Sequence, residues 1–141
     1  MDTRISKLIT YLEKILEKLD NNYKSINVDW LDLKINNYSL DKIPTASTIE
    51  EDIVGNRRCR DVYSFRSKKA YSSSQVNNLK NIGFFEKFES IIKSNNDEGV
   101  LPEIDGIESV ACLNCGTFNS ADASQKTAIF DIQLQIIYEE E

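Results

Sequence analysis

A segment near the C-terminus, in which apolar residues recur at every second position, constrains the fold more than any other part of the chain. Between residues 127 and 138 every second residue is apolar. A period of two places alternate side chains on opposite faces of a β-strand, so this strand has one buried face and one wetter face. Since it lacks the Lys or Pro residues that protect a sheet edge, we expect neighbouring strands on both sides. The side chains of the buried face are Ala128, Phe130, Ile132, Leu134, Ile136 and Tyr138.

Two other segments have the period of a helix. Apolar residues recur every three or four positions over residues 2–20, which predicts an amphipathic helix. We expect this helix to pack on a sheet within the chain, and the alternative is packing against a neighbouring subunit. A second helix is predicted over about 74–96, after the N-cap cluster Ser72–Ser74. Gly83 is an expected break or kink. The apolar positions expected in the second helix are Val76, Leu79, Ile82, Phe84, Phe85, Phe88, Ile91 and Ile92.

The remaining segments predict further strands and two loops. In the first strand the alternation changes parity near Trp30–Leu31, which indicates a bulge or bend. In the third strand Asp61 interrupts the apolar face, so we expect the packed part to run from Val62 to Phe65. Residues 44–58 are predicted to form a loop, and residues 116–124 a polar hairpin loop. The four strands are predicted over Ile26–Ile35, Tyr38–Ile43, Arg58–Phe65 and Ile107–Asn114.

These elements predict a single α+β domain in the order α-β-β-β-α-β-β. A length of 141 residues fits one domain with its own core. We expect an antiparallel or mixed sheet of about four to five strands, packed by the N-terminal helix and the central helix. The predicted core residues are Leu12, Leu16, Phe65, Phe85, Phe88, Phe130, Ile132, Leu134 and Ile136.

The composition restricts which chemistry the chain can perform. The absence of histidine excludes Ser/His/Asp and Cys/His catalytic groups within the chain and removes the commonest metal ligand. Cys112 and Cys115 have the spacing of half a zinc site or of a redox motif, but no second pair completes a zinc site, and small buried thiols are the preferred interpretation. We therefore expect no enzyme activity, no catalytic residues, no metal and no cofactor.

The charge balance and the hydropathy pattern restrict the partners. A net charge of −6 argues against sequence-independent DNA binding, although it allows DNA to pass nearby without sticking. No apolar run approaches the length of a membrane span, and no secretory signal precedes the first helix, so we expect a cytosolic start without membrane contact.

Two charged clusters are candidates for subunit contacts. The acidic cluster is Glu50, Glu51 and Asp52. The basic cluster is Arg57, Arg58, Arg60 and Arg66, of which the last three share one strand parity and could line an exposed face. The two clusters could meet across a subunit boundary, the acidic cluster could line a lumen, or the segment could be a solvated surface loop.

From residue 63 onward the chain resembles a known family. The segments Tyr63–Tyr71, Ile82–Phe88, Leu101-Pro102 and Ala128–Tyr138 occur in the same order as in the minor capsid family of tailed phages that infect low-GC Gram-positive hosts. Members of that family resemble tail-terminator proteins. The resemblance implies a compact α+β fold and a hexameric ring that caps the last ring of the tail tube and meets the connector of the head, with DNA passing through the lumen.

The resemblance also implies partners and a location. The expected partners are further copies of the chain, the tail-tube protein, the head-tail connector protein and possibly the sheath protein. The expected location is the tail or neck of a virion that assembles in the host cytoplasm. The alternatives are a head-side connector or stopper protein, the cap of a phage-tail-like bacteriocin, or a small cytosolic regulatory or inhibitor protein that works as a monomer or dimer.

Overall fold

The fold is α+β, with two helices and a mixed sheet. The computed structural model describes residues 3–19, 25–28, 37–44, 48–51, 55–70, 75–114, 117–122 and 127–140. The main path of the sheet has five strands, and with the two helices it confirms the predicted order α-β-β-β-α-β-β. The elements are α1 (Arg4–Leu19), β1 (Ser25–Val28), β2 (Asn37–Ile43), β3 (Thr48–Glu51), β4 (Arg57–Ala70), α2 (Gln75–Glu98), β5 (Ile107–Cys112), β6 (Thr117–Asp122) and β7 (Thr127–Glu140).

A long antiparallel pair, β4 and β7, forms the centre of the sheet. Each strand has 14 residues, and they pair along their full length from Arg57 opposite Glu140 to Ala70 opposite Thr127. The strand order is β1-β2-β4-β7-β5, in which β1 runs parallel to β2 and the other pairs are antiparallel. Strand β3 continues the line of β2 along β4, and β6 continues the line of β5 along β7. As expected, β7 has neighbours on both sides.

Both helices pack on the same face of this sheet, which we call the inner face. Their buried side chains belong to one apolar cluster with the odd-numbered residues of β4 and the even-numbered residues of β7. At its centre the Phe65 ring stacks on Tyr38 and on Phe88, with centroids 5.3 and 5.4 Å apart. All nine predicted core residues are at most 9% exposed: Leu12, Leu16, Phe65, Phe85, Phe88, Phe130, Ile132, Leu134 and Ile136.

The second helix differs from its prediction in two respects. It continues through Gly83 without a break, because Phe85 and Phe88 are buried just beyond it and their burial outweighs the roughly 1 kcal/mol that an interior glycine costs. Leu79 and Ile82, which were predicted to lie on an apolar face, are 56% and 53% exposed. These two apolar residues of α2 therefore lie on its exposed side, unlike Phe85 and Phe88.

The predicted loops also contain strands. Strand β3 lies inside the segment predicted as a loop over 44–58, and β4 already begins at Arg57. Strand β6 lies inside the predicted hairpin loop. Neither short strand has an alternating pattern of its own; each forms because a long neighbour offers backbone partners. The predicted bend near Trp30–Leu31 and the cap at Ser72–Ser74 lie outside the described residues.

Candidate functional site: four arginines and a buried carboxylate

The side of the sheet opposite the two helices, which we call the outer face, holds most of the basic cluster. It carries the even-numbered residues of β4 and the odd-numbered residues of β7, because directly paired residues share a face. Its centre is low in charge, with Val62 opposite Gln135 and Ser64 opposite Gln133. Val62 is only 7% exposed, and it does not belong to the apolar cluster that includes the two helices.

Three of the four predicted interface arginines pair with carboxylates of their own chain. Arg57 Nη2 lies 3.4 Å from Glu140 Oε1, at the end of the β4–β7 pair. Arg58 Nε donates to Glu108 Oε2 at 3.1 Å. Arg66 Nε lies 2.6 Å from Asp41 Oδ2, and its Nη2 donates to Ser39 Oγ at 3.3 Å. The sequence alone gave no reason to separate these arginines from the fourth, because their partners lie far away along the chain.

Arg60 is the exception. It lies opposite Ile137 on the outer face, so its direct neighbour across the strand pair has no charge. Its Nε is buried and makes no hydrogen bond, and among the described residues its guanidinium has no ion-pair partner. A buried donor without an acceptor costs about 1–3 kcal/mol. Among the described residues, Arg60 is thus the one member of the basic cluster without an ion pair to a carboxylate.

The backbone of the acidic cluster lies beside the start of the basic cluster. The register of β3 places Glu50 opposite Arg58 and Glu51 opposite Arg57 within the same chain. Strand β3, which the sequence did not predict, brings the acidic segment beside the start of β4. The pairing of the two clusters across a subunit boundary stays a prediction. Asp52 lies outside the described residues.

A second cluster lies on the inner face around Asp61, a residue only 1% exposed. Its carboxylate accepts hydrogen bonds from Arg4 Nε at 2.9 Å, from the Tyr63 hydroxyl at 3.2 Å and from the Tyr138 hydroxyl at 3.4 Å. Lys42 Nζ lies 3.6 Å from Asp61 Oδ1. The expectation that Asp61 excludes this part of β4 from the packed face was wrong, because partners up to 77 positions away satisfy the buried charge.

The environment of Asp61 keeps the tyrosines of this cluster neutral. Burial raises the pKa of the Tyr63 phenol, and the neighbouring Asp61 charge and hydrogen bond raise it further. Burial and the Asp61 charge also raise the pKa of Tyr138. For Arg4, burial lowers the pKa, but the hydrogen bond and charge of Asp61 outweigh it, so the pKa is raised. The cluster therefore holds one stable ion pair and two neutral hydroxyl donors.

An open cavity of about 1120 Å³ lies beside this cluster, at the start of α1 and the end of β7. The turn that forms part of its wall approaches β7 closely: Glu139 N donates to Gly106 O at 2.8 Å. Three cations and three carboxylates line the cavity, so it does not favour a ligand of one charge sign. Its charged lining residues are Arg4, Lys7, Lys42, Asp105, Glu139 and Glu140.

The cysteines and the helices bear on two other kinds of site, a metal or redox site and a membrane span. Cys59 is a buried free thiol and Cys112 a half-buried one, while Cys115 lies outside the described residues. Within the described ranges no group of three or more Cys, Asp or Glu side chains is placed to hold a metal ion. Neither α1 nor α2, as far as the structure describes them, combines the length and the apolar character needed to cross a membrane.

No protein-family model matches the chain, and no curated protein sequence matches it. The fold alone therefore gives the class of the protein: an α+β protein whose two helices cover one face of a long mixed sheet.

Proposed function

We propose that this protein is a structural component of a phage virion, a tail terminator whose subunits form a ring that caps the tail tube and joins it to the head connector. The observation that carries the proposal is the one-sided sheet. Both helices pack on the inner face, while the outer face combines a low-charge centre with Arg60, which has no ion pair among the described residues. Depletion of charge at the centre together with enrichment in Arg is characteristic of protein–protein interfaces.

The resemblance to the minor capsid family supports the same proposal through the elements that build the fold. The similar segments correspond to β4, α2 and β7, and their aromatic residues include Phe85 and Phe88 of the core. Tyr63 and Tyr138 both bind Asp61. These residues determine how helices and sheet pack, so a shared pattern at these positions implies a shared architecture.

The charge of the chain fits a ring through which DNA passes. At a net charge of −6 the subunit repels a polyanion more than it attracts it, and three of the four clustered arginines already have carboxylate partners. Broad phosphate binding needs many free Lys and Arg side chains. A ring of such subunits would let DNA slide through its lumen without holding it.

Mixing the purified protein with preformed tail tubes from the same genome tests this function. We expect a six-fold cap at one tube end in electron micrographs and, by mass measurement, a hexamer in the capped tubes. Tubes without the protein are the control. A stable monomer or dimer that leaves both tube ends bare would contradict the proposal and favour a regulatory role, whereas a ring that binds the connector and not the tube would favour a head-side stopper.

A further inference from the structure

We propose that Arg60 on the outer face of one copy of this chain binds the acidic turn of a second copy. The acidic turn is the segment 97–105, which carries Asp97, Glu98, Glu103 and Asp105. The inference specifies the surfaces by which subunits meet, and its role in closing a ring rests on the function proposed above.

The first surface of the proposed contact is the one around Arg60. The Arg60 Nε is buried and has no acceptor among the described residues, so it loses hydration without gaining a hydrogen bond there. The adjacent arginine on the same face, Arg58, is paired with Glu108 and lies opposite Glu139. A carboxylate from outside would supply the missing acceptor, and Arg can bind a carboxylate with two parallel hydrogen bonds.

The second surface of the proposed contact is the acidic turn. Its four carboxylates are exposed, and none has an ion pair among the described residues. Asp97 and Glu98 stand at the C-terminal end of α2, where the helix dipole disfavours negative charge, and the last turn of that helix contains no basic residue. Val100 is 50% exposed between the acidic residues and adds an apolar contact. A cation from another molecule would relieve this unfavourable placement.

The acidic turn is also held rigidly, so binding it costs little ordering. Gly99 has a φ of 75°, and the bonds from Gly99 N to Asn96 O and from Val100 N to Asn95 O form a Schellman motif. The Asn95 amide donates to the Tyr11 hydroxyl at 3.2 Å, which fixes the end of α2 to α1. The Asn96 amide bonds both the N–H and the carbonyl of Val110 in β5. Such preorganisation favours binding.

The two surfaces lie on different sides of the subunit. Arg60 is on the outer face of the sheet, whereas the acidic turn follows α2, which packs on the inner face. A contact between different surfaces of identical chains is heterologous, and it builds a closed ring when the rotation between copies closes. The chemistry and the placement together favour a second copy over an unrelated acidic partner.

Complementary variants test the contact. Arg60→Glu removes the basic side, with Arg60→Gln as a milder version if the reversal fails to fold, and Asp97→Lys combined with Glu103→Lys removes the acidic side. We expect each variant alone to lose self-association by roughly 30-fold or more, the lower limit for breaking a desolvated charge pair. An equal mixture of Arg60→Gln and the double lysine variant retains one intact contact, so we expect a 1:1 heterodimer in sedimentation and native mass measurements. Lys87→Glu and Glu86→Lys on exposed positions of α2 are the matched controls.

Several outcomes would overturn the contact. A mixture that stays monomeric, or Arg60 variants that associate like the wild type, would exclude the contact. The tail role would still stand if the wild type caps tubes. Conversely, a heterodimer formed by a protein that never binds tubes would support the contact and refute the tail role. Arg60→Glu that assembles normally but no longer binds tubes would assign Arg60 to the tube protein instead of a second copy.

Discussion

At the scale of single residues, Asp61 and Arg60 are two charged side chains of the same strand in opposite environments. They are adjacent in sequence, so the alternation of β4 places them on opposite faces of the sheet. Asp61 is buried and bound by Arg4, Lys42 and two tyrosine hydroxyls, whereas Arg60 has no ion-pair partner among the described residues. A satisfied buried charge stabilises the folded chain, whereas a buried donor without an acceptor costs stability.

The Asp61 cluster should be a main support of the subunit. Asp61→Asn removes the charge that binds Arg4, and we expect the free energy of unfolding in urea to fall by about 2–3 kcal/mol. This is less than the 3–5 kcal/mol typical of a fully buried pair, because the Arg4 side chain is 43% exposed. Asp105→Asn, an exposed carboxylate beside the same cavity, is the control and should change stability by less than about 0.5 kcal/mol. Equal effects of the two substitutions would contradict the role of Asp61.

The raised pKa of Tyr63 predicts a loss of stability in alkaline solution. The neutral phenol is favoured in the folded chain, so its contribution is complete below the unfolded pKa of about 10 and is lost as the pH rises above that value. We expect the free energy of unfolding to decline above about pH 10. Tyr63→Phe should lower stability at pH 7 by about 1 kcal/mol, since it removes one hydrogen bond, but it should flatten the alkaline decline. Parallel pH profiles of variant and wild type would refute this explanation.

At the scale of elements, the predictable parts are those with an unbroken period of their own. The helical stripe over α1 and the alternation over β7 predicted both elements because burial of one face determines each pattern. Strands β3 and β6 are polar and short, and they form only because β4 and β7 provide backbone partners. Likewise, no local pattern shows that Asp61 meets Arg4 57 positions away. The elements and contacts that were not predicted are therefore those that depend on residues far apart in the sequence.

The turn before β5 is expected to tolerate no side chain at Gly106. Gly106 and Gly99 share a φ of 75°, which L-residues rarely adopt. A Cβ at Gly106 would also overlap the carbonyl oxygen of Glu139, whereas a Cβ at Gly99 would meet no atom within 4 Å. We expect Gly99→Ala to cost about 1 kcal/mol and Gly106→Ala at least about 2 kcal/mol more in thermal or urea unfolding. Similar costs would mean that the turn moves away from β7 easily.

At the scale of the whole molecule, the stabilising core and the proposed contact surface lie on opposite sides of the sheet. The inner face concentrates the apolar cluster and the Asp61 network, so the fold does not depend on the outer face for its core. Residues selected for binding commonly cost stability in the isolated chain. The proposed assembly therefore implies that the outer face contains a residue whose replacement stabilises the free subunit.

Arg60→Leu tests that implication. It removes the buried donor that has no acceptor and places an apolar side chain beside Ile137, so we expect the free subunit to gain about 1 kcal/mol in urea unfolding. Arg58→Leu is the matched control on the same face; it breaks the exposed pair with Glu108 and should change stability by no more than about 0.5 kcal/mol. We expect self-association to weaken with Arg60→Leu and to persist with Arg58→Leu. A loss of stability with Arg60→Leu would mean that the guanidinium supports the subunit itself, since only then would its removal cost the monomer anything.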